Sequence, residues 1–254
     1  MKLQDKVAIV TGAASGMGKA IAELYAKEGA KVILADYNLE GAKAVEESIA
    51  ENGGTCIAVK ADVSQLEDVE NMVQTAIDEY GTLDILVNNA GIMDGFEPVG
   101  EITDEKWDRI FDINLKGVMR AMRKAVNYWL EQNKEGVIIN TISTGGLNGA
   151  HAGAAYVASK HAVVGLTKNA GFMYAHKGIR VNGIAPGAVE TNIGASITNV
   201  SQLGMERSGL THKLSPRSGK PEEIAQVALF LASKDSSFMN GTVVVVDGGW
   251  TSAF

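Results

Sequence analysis

Short apolar runs alternate along this chain with longer segments in which apolar residues recur at helical spacing. The apolar runs lie at residues 6–11, 31–35, 55–60, 84–87, 136–141, 179–185 and 242–246. Runs of this length that are rich in β-branched residues are typical of buried strands. The segments between them carry stripes such as Val69, Met72, Val73 and Ile77, which predict amphipathic helices. This alternation predicts an α/β fold, with a parallel sheet and helices on both of its faces.

The second half of the chain contains two long predicted helices and one less regular segment. Thr103 and the acidic residues after it supply an N-cap and a first turn for a helix over residues 104–133. A second helix is predicted over residues 154–176, and Pro221 suits the first turn of a later one. Residues 190–216 mix apolar and polar positions irregularly, which at the carboxyl edge of a sheet predicts a mobile substrate lid. The alternative for this segment is a packed amphipathic insert.

Composition narrows the classes of protein that fit. We find no linker, repeat or low-complexity segment, so we predict a single domain over residues 1–254. The net charge of −7 and the lack of a basic run argue against a nucleic-acid partner. No apolar stretch approaches the roughly 18 residues of a membrane span, and the N-terminus lacks the apolar segment of a signal peptide. Cys56 is the single cysteine and the four histidines lack metal-ligand spacing, so we expect a cytoplasmic protein without a metal and without a membrane partner.

A glycine-rich turn follows the first predicted strand. Gly12, Gly16 and Gly18 surround Ser15 and Met17, and a helical pattern begins directly after them. Glycines between a strand and a helix allow a tight turn and let a diphosphate approach the amides at the helix N-terminus. The turn therefore predicts a dinucleotide site, with a plain tight turn as the alternative.

An acidic residue ends the second predicted strand. Asp36 lies eighteen residues after Gly18, and a carboxylate there accepts hydrogen bonds from a ribose diol and repels a 2′-phosphate. Tyr37 and Asn38 offer no cation for that phosphate, and we expect Lys19 to point to solvent. These residues predict NAD rather than NADP as the cofactor. The alternative for Asp36 is an N-cap of the next helix.

Polar and small residues follow the third and fourth predicted strands. Asp62, which precedes Val63, offers an acceptor to an adenine amino group, or else it caps the helix that follows. Asn89, Ala90 and Gly91 end the fourth strand. Small and amide residues at this place suit backbone contact with a flat ligand, and they equally suit a simple turn.

Three side chains are candidates for proton transfer. Tyr156 and Lys160 are four residues apart, so a helix presents them on one face. A cation beside a phenol lowers its pKa, and such a tyrosine can exchange a proton with an alcohol near neutral pH. Ser143 follows the fifth predicted strand, where its hydroxyl could grip the same substrate oxygen. Taken alone, the tyrosine and lysine have the alternative of an ordinary surface pair.

A single amide interrupts the apolar stripe of the helix at 104–133. Asn114 falls on the same face as Trp107, Phe111 and Val118. A buried amide must be hydrogen-bonded. It either ties down backbone or belongs to a polar network that reaches the active site.

Together these residues resemble the short-chain dehydrogenase/reductase family over essentially the whole chain. The matching motifs, in order, are Thr11-Gly12-x-x-x-Gly16-x-Gly18, Asp62-Val63, Asn88-Asn89-Ala90-Gly91, Asn114, Ser143, Tyr156-x-x-x-Lys160, Pro186-Gly187 and Thr191. Ser143 lies thirteen residues before Tyr156, as in the family pattern. The resemblance implies a Rossmann-type doubly wound sheet.

The resemblance also implies a role for each catalytic candidate. Tyr156 would be the general acid/base, and Ser143 would hold the substrate oxygen. Lys160 would bind the nicotinamide ribose and hold the pKa of the phenol down. Asn114 would position a water that extends the proton relay from Lys160.

Further cofactor contacts are implied by the family after the sixth strand. Pro186 and Gly187 would border the cofactor there. The backbone near Val189 and the hydroxyl of Thr191 would hold the carboxamide, so that the correct face of the nicotinamide ring meets the substrate.

The resemblance implies hydride transfer between NAD(H) and a small-molecule secondary alcohol or ketone, in an apolar pocket lined partly by residues 190–216. The alternative is a 3-oxoacyl-[acyl-carrier-protein] reductase; many relatives have that activity, but they usually prefer NADP, and residues 92–98 differ from the segment expected there. Family members are usually tetramers that pack the helices at 104–133 and 154–176, which implies a homotetramer.

Two other classes of protein compete with this interpretation. A methyltransferase also uses a glycine turn and an acidic residue after the second strand, but it does not need Ser143, Tyr156 and Lys160 at these spacings. A non-catalytic dinucleotide sensor could keep the glycines and lose the proton-transfer residues, whereas this chain retains them.

Overall fold

A parallel sheet of seven strands forms the centre of the computed structural model, which describes residues 1–253. The strands are Val7–Thr11 (β1), Lys31–Asp36 (β2), Thr55–Lys60 (β3), Ile85–Asn88 (β4), Gly136–Thr141 (β5), Ile179–Pro186 (β6) and Val243–Val246 (β7). They follow the order β3-β2-β1-β4-β5-β6-β7, and every neighbouring pair is parallel. The predicted doubly wound sheet is confirmed.

The strand order reverses direction next to β1. Val10 of β1 lies opposite Leu34 of β2 on one side and opposite Val87 of β4 on the other. In a sheet of this type the connections after two such strands leave to opposite faces, and a crevice opens beyond their carboxyl ends. The glycine turn after β1 and the polar residues after β4 border this crevice.

Helices cover both faces of the sheet. They are Gly16–Lys27 (α1), Leu39–Glu51 (α2), Leu66–Tyr80 (α3), Asp104–Phe111 (α4), Val118–Glu131 (α5), Ala154–Met173 (α6), Gln202–His212 (α7) and Pro221–Ala232 (α8). Apolar residues of α1, α2 and α8 form one core cluster, and those of α3, α5 and α6 form the other. Strand β1 is buried on both sides: Ala8 and Val10 belong to the first cluster, and Val7 and Ile9 to the second. This two-sided burial explains why its sequence is continuously apolar.

The long helix predicted over residues 104–133 is divided into α4 and α5 by a π-helical turn at Asp112–Gly117. Two contacts accompany the wider turn. The side chain of Asn114 bonds the backbone of Ile92, and Gly117 lies so close to the loop after β3 that a Cβ on it would be 2.7 Å from the Val63 carbonyl oxygen. The first turn follows the prediction, with the Thr103 side chain capping α4.

The helix predicted over residues 154–176 ends earlier than expected. Helix α6 stops at Met173, and a short 3₁₀ turn occupies residues 175–177. Gly178 then adopts a φ of +72°, which closes the turn into β6.

The segment at 190–216 contains more regular structure than its sequence indicated. A 3₁₀ turn at Asn192–Ser196 precedes α7, which the Ser201 side chain caps. Leu203, Met205 and Leu210 are exposed, so the apolar residues of α7 are not packed as in an amphipathic insert. Its movement as a lid stays a prediction.

None of the helices in the part of the chain that the structure describes has the length and apolar character needed to cross a membrane. Residues 1–253 also contain no group of three or more His, Cys, Asp or Glu side chains placed to hold a metal ion.

Candidate active site

The glycine turn after β1 brings the backbone close to two other segments. Gly12 and Gly16 have φ angles of +68° and +53°, which favour glycine. A Cβ on Gly12 would lie 3.0 Å from the Ala90 Cα, and one on Gly16 would lie 3.1 Å from the Thr191 Cβ. Gly18 serves packing instead, because a Cβ there would lie 2.0 Å from the Gly12 carbonyl oxygen. The turn therefore forms a cradle that side chains would fill.

A cavity of about 690 Å³ occupies the crevice beyond β1 and β4. Eleven of the predicted cofactor residues line it: Gly12, Ser15, Gly16, Met17, Asp36, Asp62, Val63, Asn89, Ala90, Gly91 and Thr191. This size and the open amides of a helix N-terminus fit a dinucleotide. We call it the dinucleotide cavity.

Asp36 is tied to the glycine turn and is not an N-cap. Its Oδ2 accepts a hydrogen bond from the Ala14 amide at 2.9 Å, and its Oδ1 accepts one from the Asn38 amide at 2.8 Å. Asn38 is the residue that caps α2, since its side chain accepts from the Gly41 amide. The N-cap alternative for Asp36 is therefore wrong.

Few cations border the dinucleotide cavity. Among the residues described, Arg109 of α4 is the one lysine or arginine in its lining, and it is accompanied there by Glu105, Asp108 and Asp112. Lys19 is absent from that lining and lies 3.8 Å from Glu23.

Asp62 closes the turn before α3 rather than capping that helix. Its Oδ1 accepts hydrogen bonds from the Ser64 amide and the Ser64 hydroxyl at 2.9 Å and 2.7 Å. The N-cap position of α3 belongs to Gln65. Asp62 still borders the dinucleotide cavity, as predicted for an adenine contact.

A smaller cavity of about 290 Å³ adjoins the first. Its lining contains Ser143, Tyr156, Lys160, Pro186, Gly187 and Val189, all of which were predicted from the sequence. Met17, Asn89, Gly91, Thr191 and Ile193 line both cavities, which therefore meet at these residues. We call the smaller one the substrate cavity.

Ser143 holds a backbone conformation that is rare for a residue with a side chain. Its φ is +80°, and it lies two residues after the end of β5. Its Oγ accepts a hydrogen bond from the Gly145 amide at 3.1 Å, which supports the turn. Strain of this kind is common at functional sites. Ser143 lines the substrate cavity together with Tyr156, and its side chain acts to lower the pKa of that phenol.

Tyr156 and Lys160 lie on one face of α6, as predicted, and both are buried. The Lys160 Nζ donates to the Thr141 carbonyl at 2.9 Å and lies 5.6 Å from the centre of the Tyr156 ring. Burial lowers the pKa of Lys160 to about 8.

The pKa of Tyr156 is raised in the chain alone, whereas the sequence predicted that it is lowered. Burial raises it, the hydrogen bond with Ser143 acts to lower it, and the charge of Asp94 raises it further. Lys160 was predicted to lower this pKa, but in the chain alone the desolvation of the phenolate dominates.

Asn114 ties down backbone, which is the plainer of its two alternatives. Its Oδ1 accepts from the Ile92 amide and its Nδ2 donates to the Ile92 carbonyl, both at 2.9 Å. It lines neither cavity. It nevertheless flanks Gly91 together with Lys160, because a Cβ on Gly91 would lie 3.2 Å from the Asn114 Oδ1 and 3.5 Å from the Lys160 Nζ.

One buried carboxylate at the site was missed by the sequence analysis. Asp94 is fully buried and accepts hydrogen bonds from the amides of Phe96, Gly153 and Tyr156 at 3.1, 2.9 and 2.9 Å. It thereby caps the first turn of α6. Its only signal in the sequence was its place in residues 92–98, a segment that departs from the family pattern.

Four rings of the substrate cavity were also missed. Phe96, His151, His212 and Trp250 line it together. They come from distant parts of the chain, and neither periodicity nor spacing in the sequence connects them.

The fold and the two joined cavities define an enzyme that binds a dinucleotide beside a second ligand, and comparison with known proteins agrees. A family model described as enoyl-(acyl carrier protein) reductase matches residues 12–251. The chain is 47% identical to 3beta-hydroxysteroid dehydrogenase 2 of Eggerthella lenta, over 98% of this chain and 96% of that protein. It is 41% identical to cyclohexanol dehydrogenase of an Acinetobacter species, over 99% and 97%.

Solved structures give the same result. Levodione reductase matches with a TM-score of 0.89 and 35% identity, over 99% of this chain and 100% of that one. A Beutenbergia cavernae protein with bound NADP, described as an NAD(P) dependent gluconate 5-dehydrogenase, matches with a TM-score of 0.87 and 36% identity, over 99% and 98%. The chain belongs to the short-chain dehydrogenase/reductase family. It is an oxidoreductase of hydroxyl and keto groups that uses a nicotinamide dinucleotide.

Proposed function

We propose that this enzyme transfers a hydride between NAD(H) and a small secondary alcohol or its ketone, with Tyr156 as the general acid/base. One observation carries the proposal. Tyr156, Ser143 and Lys160 line a single cavity, and that cavity joins the dinucleotide cavity. The names of two relatives support the substrate class, because a 3beta-hydroxysteroid and cyclohexanol are both secondary alcohols.

The residues that would hold the dinucleotide form a continuous path through both cavities. The glycine turn would receive the diphosphate, Asp36 the adenosine ribose, and Asp62 and Val63 the adenine. Pro186, Gly187, Val189 and Thr191 would hold the nicotinamide end. The dinucleotide, when bound, supplies or accepts the hydride.

The chain itself handles the proton. The Tyr156 hydroxyl takes a proton from the alcohol or gives one to the ketone, while Ser143 holds the same oxygen. Lys160 binds the nicotinamide ribose, and its burial beside the phenol ring makes it the next group in the relay. Asn114 fixes the backbone of Ile92 beside Gly91, and we assign it the water that extends the relay.

NAD is the cofactor that the lining residues favour. A 2′-phosphate beside Asp36 would meet a carboxylate. Among the residues described, Arg109 is the one lysine or arginine that lines this cavity, and acidic residues surround it in the lining. The relative with bound NADP shows that the family also accepts the phosphorylated cofactor. Preference for NAD is therefore the finer part of the proposal.

A 3-oxoacyl-[acyl-carrier-protein] reductase is the second candidate, because the matching family model is described by a carrier-protein substrate. A non-catalytic sensor is a weaker candidate, since the proton-transfer residues are complete. We further propose a single cytoplasmic domain over residues 1–254, in which residues 190–216 act as a substrate lid, and a homotetrameric assembly.

Replacing one oxygen tests the proposed function. Tyr156→Phe removes the proton donor and acceptor but keeps the ring, so we expect turnover to fall at least about a hundredfold. NADH affinity, measured by calorimetry, should stay within about threefold, because phenylalanine keeps the ring and leaves the glycine turn, Asp36 and Asp62 of the dinucleotide cavity unchanged. The assay offers a panel of secondary alcohols with NAD or NADP, and acetoacetyl thioesters with NADH or NADPH.

Each outcome of that assay has a distinct meaning. Turnover of the thioesters alone would favour the carrier-protein reductase, and cofactor binding without any turnover would favour the sensor. Normal turnover by Tyr156→Phe would remove the tyrosine from the mechanism.

A further inference from the structure

Four rings form one wall of the substrate cavity, and we call Phe96, His151, His212 and Trp250 the aromatic panel. All four line the substrate cavity, and none lines the dinucleotide cavity. His151 and Trp250 stack with ring centres 4.0 Å apart and planes inclined by 20°. His212 meets Trp250 and Phe96 edge-on, at 5.3 Å and 5.9 Å. These are favourable arrangements of aromatic rings.

Hydrogen bonds lock the panel into one shape. The Trp250 Nε1 donates to the Thr211 carbonyl at 2.7 Å, and the Thr211 hydroxyl donates to the Ala150 carbonyl at 3.2 Å. The His212 Nε2 lies 3.2 Å from the His151 carbonyl oxygen. The end of α7, the loop before α6 and the C-terminal turn at Trp250–Ala253 are thereby joined. Thr211 and His212 belong to the proposed lid, so the wall has this shape when the lid holds the position that it has in this structure.

Three rings of the panel are buried, namely Phe96, His151 and Trp250. Burial and the neighbouring His212 lower the pKa of His151, while a backbone hydrogen bond at Thr144 and the charge of Asp247 act in the opposite direction. Among the lysines and arginines described, Lys160 alone lines this cavity. The cavity therefore offers no separate cation to a carboxylate or phosphate on the substrate.

We propose that the aromatic panel selects a carbon ring as the body of the substrate. The inference rests on the proposed function: the reacting carbon would lie at Ser143 and Tyr156, and the ring would rest against Trp250 and His151. A ring arrives already ordered, whereas an open chain of the same carbon number loses rotational freedom when it is flattened against a fixed wall. A ring-borne secondary alcohol is thus the class that this wall favours.

A pair of six-carbon alcohols tests the inference. The measured quantity is the ratio of kcat/KM for cyclohexanol to kcat/KM for 2-hexanol, with NAD, in the full-length protein. We expect the wild type to prefer cyclohexanol. Trp250→Ala should lower the ratio about tenfold, as expected for loss of one pocket contact, with most of the loss in KM for cyclohexanol. Trp250→Phe keeps a ring and should hold the ratio within about threefold.

A second variant covers the case in which Trp250→Ala fails to fold. His212 is half-buried, so His212→Ala should fold, and we expect it to lower the ratio in the same direction. NADH affinity, measured by calorimetry, is the second readout, because the panel lines the cavity in which the nicotinamide end would lie. We expect it to change less than the ratio, and a loss of NADH affinity as large as the loss in the ratio would overturn the inference.

The outcomes separate the inference from the proposed function. A wild type that prefers 2-hexanol would overturn the inference while the dehydrogenase stands, and so would a ratio that neither Trp250→Ala nor His212→Ala changes. A wild type that binds NADH but oxidises none of the secondary alcohols offered in the assay of the proposed function would overturn the proposed function itself.

Discussion

Asp36 joins two segments of the dinucleotide cavity with one carboxylate. Each of its oxygens accepts a backbone amide, one from the glycine turn and one from the start of α2. The carboxylate therefore has a fixed place in the lining, and its negative charge is the feature that a 2′-phosphate would meet there. We therefore expect the proposed preference for NAD to depend on this residue.

Removal of that charge should change the cofactor preference. Asp36→Asn keeps the size of the side chain but loses the repulsion, so we expect the ratio of kcat/KM with NADP to kcat/KM with NAD to rise about tenfold. Asp62→Asn is the matched control, because Asp62 lines the same cavity at the proposed adenine end. An unchanged ratio in Asp36→Asn would mean that the ribose contact is assigned to the wrong residue.

Asp94 is a positioning residue for Tyr156. Its carboxylate accepts the amide of Tyr156 itself, so it fixes the backbone from which the phenol projects. Its charge also raises the pKa of the phenol. The groups that act on Tyr156 are thus Asp94 behind it, Ser143 at its hydroxyl and Lys160 over its ring.

A change of pH profile tests this role. Asp94→Asn removes a charge that raises the pKa of Tyr156, so the pKa should fall. In the proposed mechanism alcohol oxidation needs the deprotonated phenol. The midpoint of kcat/KM against pH for alcohol oxidation should therefore move to lower pH. Asp94→Asn also replaces one acceptor oxygen by an NH2 group, which leaves the buried amide of Tyr156 without an acceptor. We expect this to lower the free energy of unfolding by about 1–3 kcal/mol.

Glu97→Gln is the control for Asp94→Asn. Glu97 lies in the same segment and is buried, but it pairs with Lys106, and it does not contribute to the shift at Tyr156. We expect its midpoint to match the wild type. If Asp94→Asn is less stable but keeps the wild-type midpoint of kcat/KM against pH, Asp94 has a structural role only.

At the scale of elements, the segment at 92–98 joins the proposed lid to α6, the helix that carries Tyr156. On the lid side, the Met93 amide donates to the Ser196 hydroxyl and the Ser201 amide donates to the Gly95 carbonyl. On the helix side, the Ala154 amide donates to the Glu97 carbonyl. Lys106 connects Glu97 with the Thr198 carbonyl. Through these hydrogen bonds, a displacement of residues 192–204 would shift the backbone at the start of α6.

Local pattern decides where the strands lie. All seven were predicted from apolar runs. The inner strands are continuously apolar because both of their faces are buried, and the partly exposed edge strands β3 and β7 are rich in β-branched residues. Eleven of the residues that line the dinucleotide cavity followed from motifs at strand ends. Features that depend on distant contacts could not be predicted: the π-helical turn accompanies the approach of Gly117 to Val63, and the capping of α6 depends on Asp94, far away in sequence.

The close approach of Gly117 to the loop after β3 is itself testable. A Cβ there would lie 2.7 Å from the Val63 carbonyl oxygen and 3.1 Å from the Val63 Cβ. Gly117→Val should lower the free energy of unfolding by about 1–3 kcal/mol, as overpacking does. It should also weaken NADH binding, because Val63 lines the dinucleotide cavity.

Gly209 of α7 provides the matched control for Gly117→Val. Nothing lies within 4 Å of a Cβ built there, so Gly209→Ala should raise the free energy of unfolding by up to about 1 kcal/mol through helix propensity. Urea unfolding and calorimetry with NADH supply the two measurements. Equal stability of Gly117→Val and wild type would mean that the loop moves aside at no cost.

At the scale of the whole molecule, the surface carries apolar side chains that a monomer would leave in water. Phe172 and Met173, in the last turn of α6, are 80% and 60% exposed, and Phe238 is fully exposed. Strand β7 is an edge of the sheet, and its Val245 is exposed as well. Exposed groups of this kind commonly mark interfaces between chains.

These exposed groups support the homotetramer proposed from the family. Light scattering should give a mass four times the 26.8 kDa of one chain. Phe172→Glu places a charge at the end of α6 and should lower that mass. Lys177→Glu is the control: it adds negative charge just beyond the helix but keeps Phe172, so the mass should stay that of the wild type. Because α6 carries Tyr156 at one end and Phe172 at the other, dissociation should also lower kcat. A wild type of one-chain mass would contradict the assembly, and full activity in a dissociated variant would separate the assembly from the catalysis.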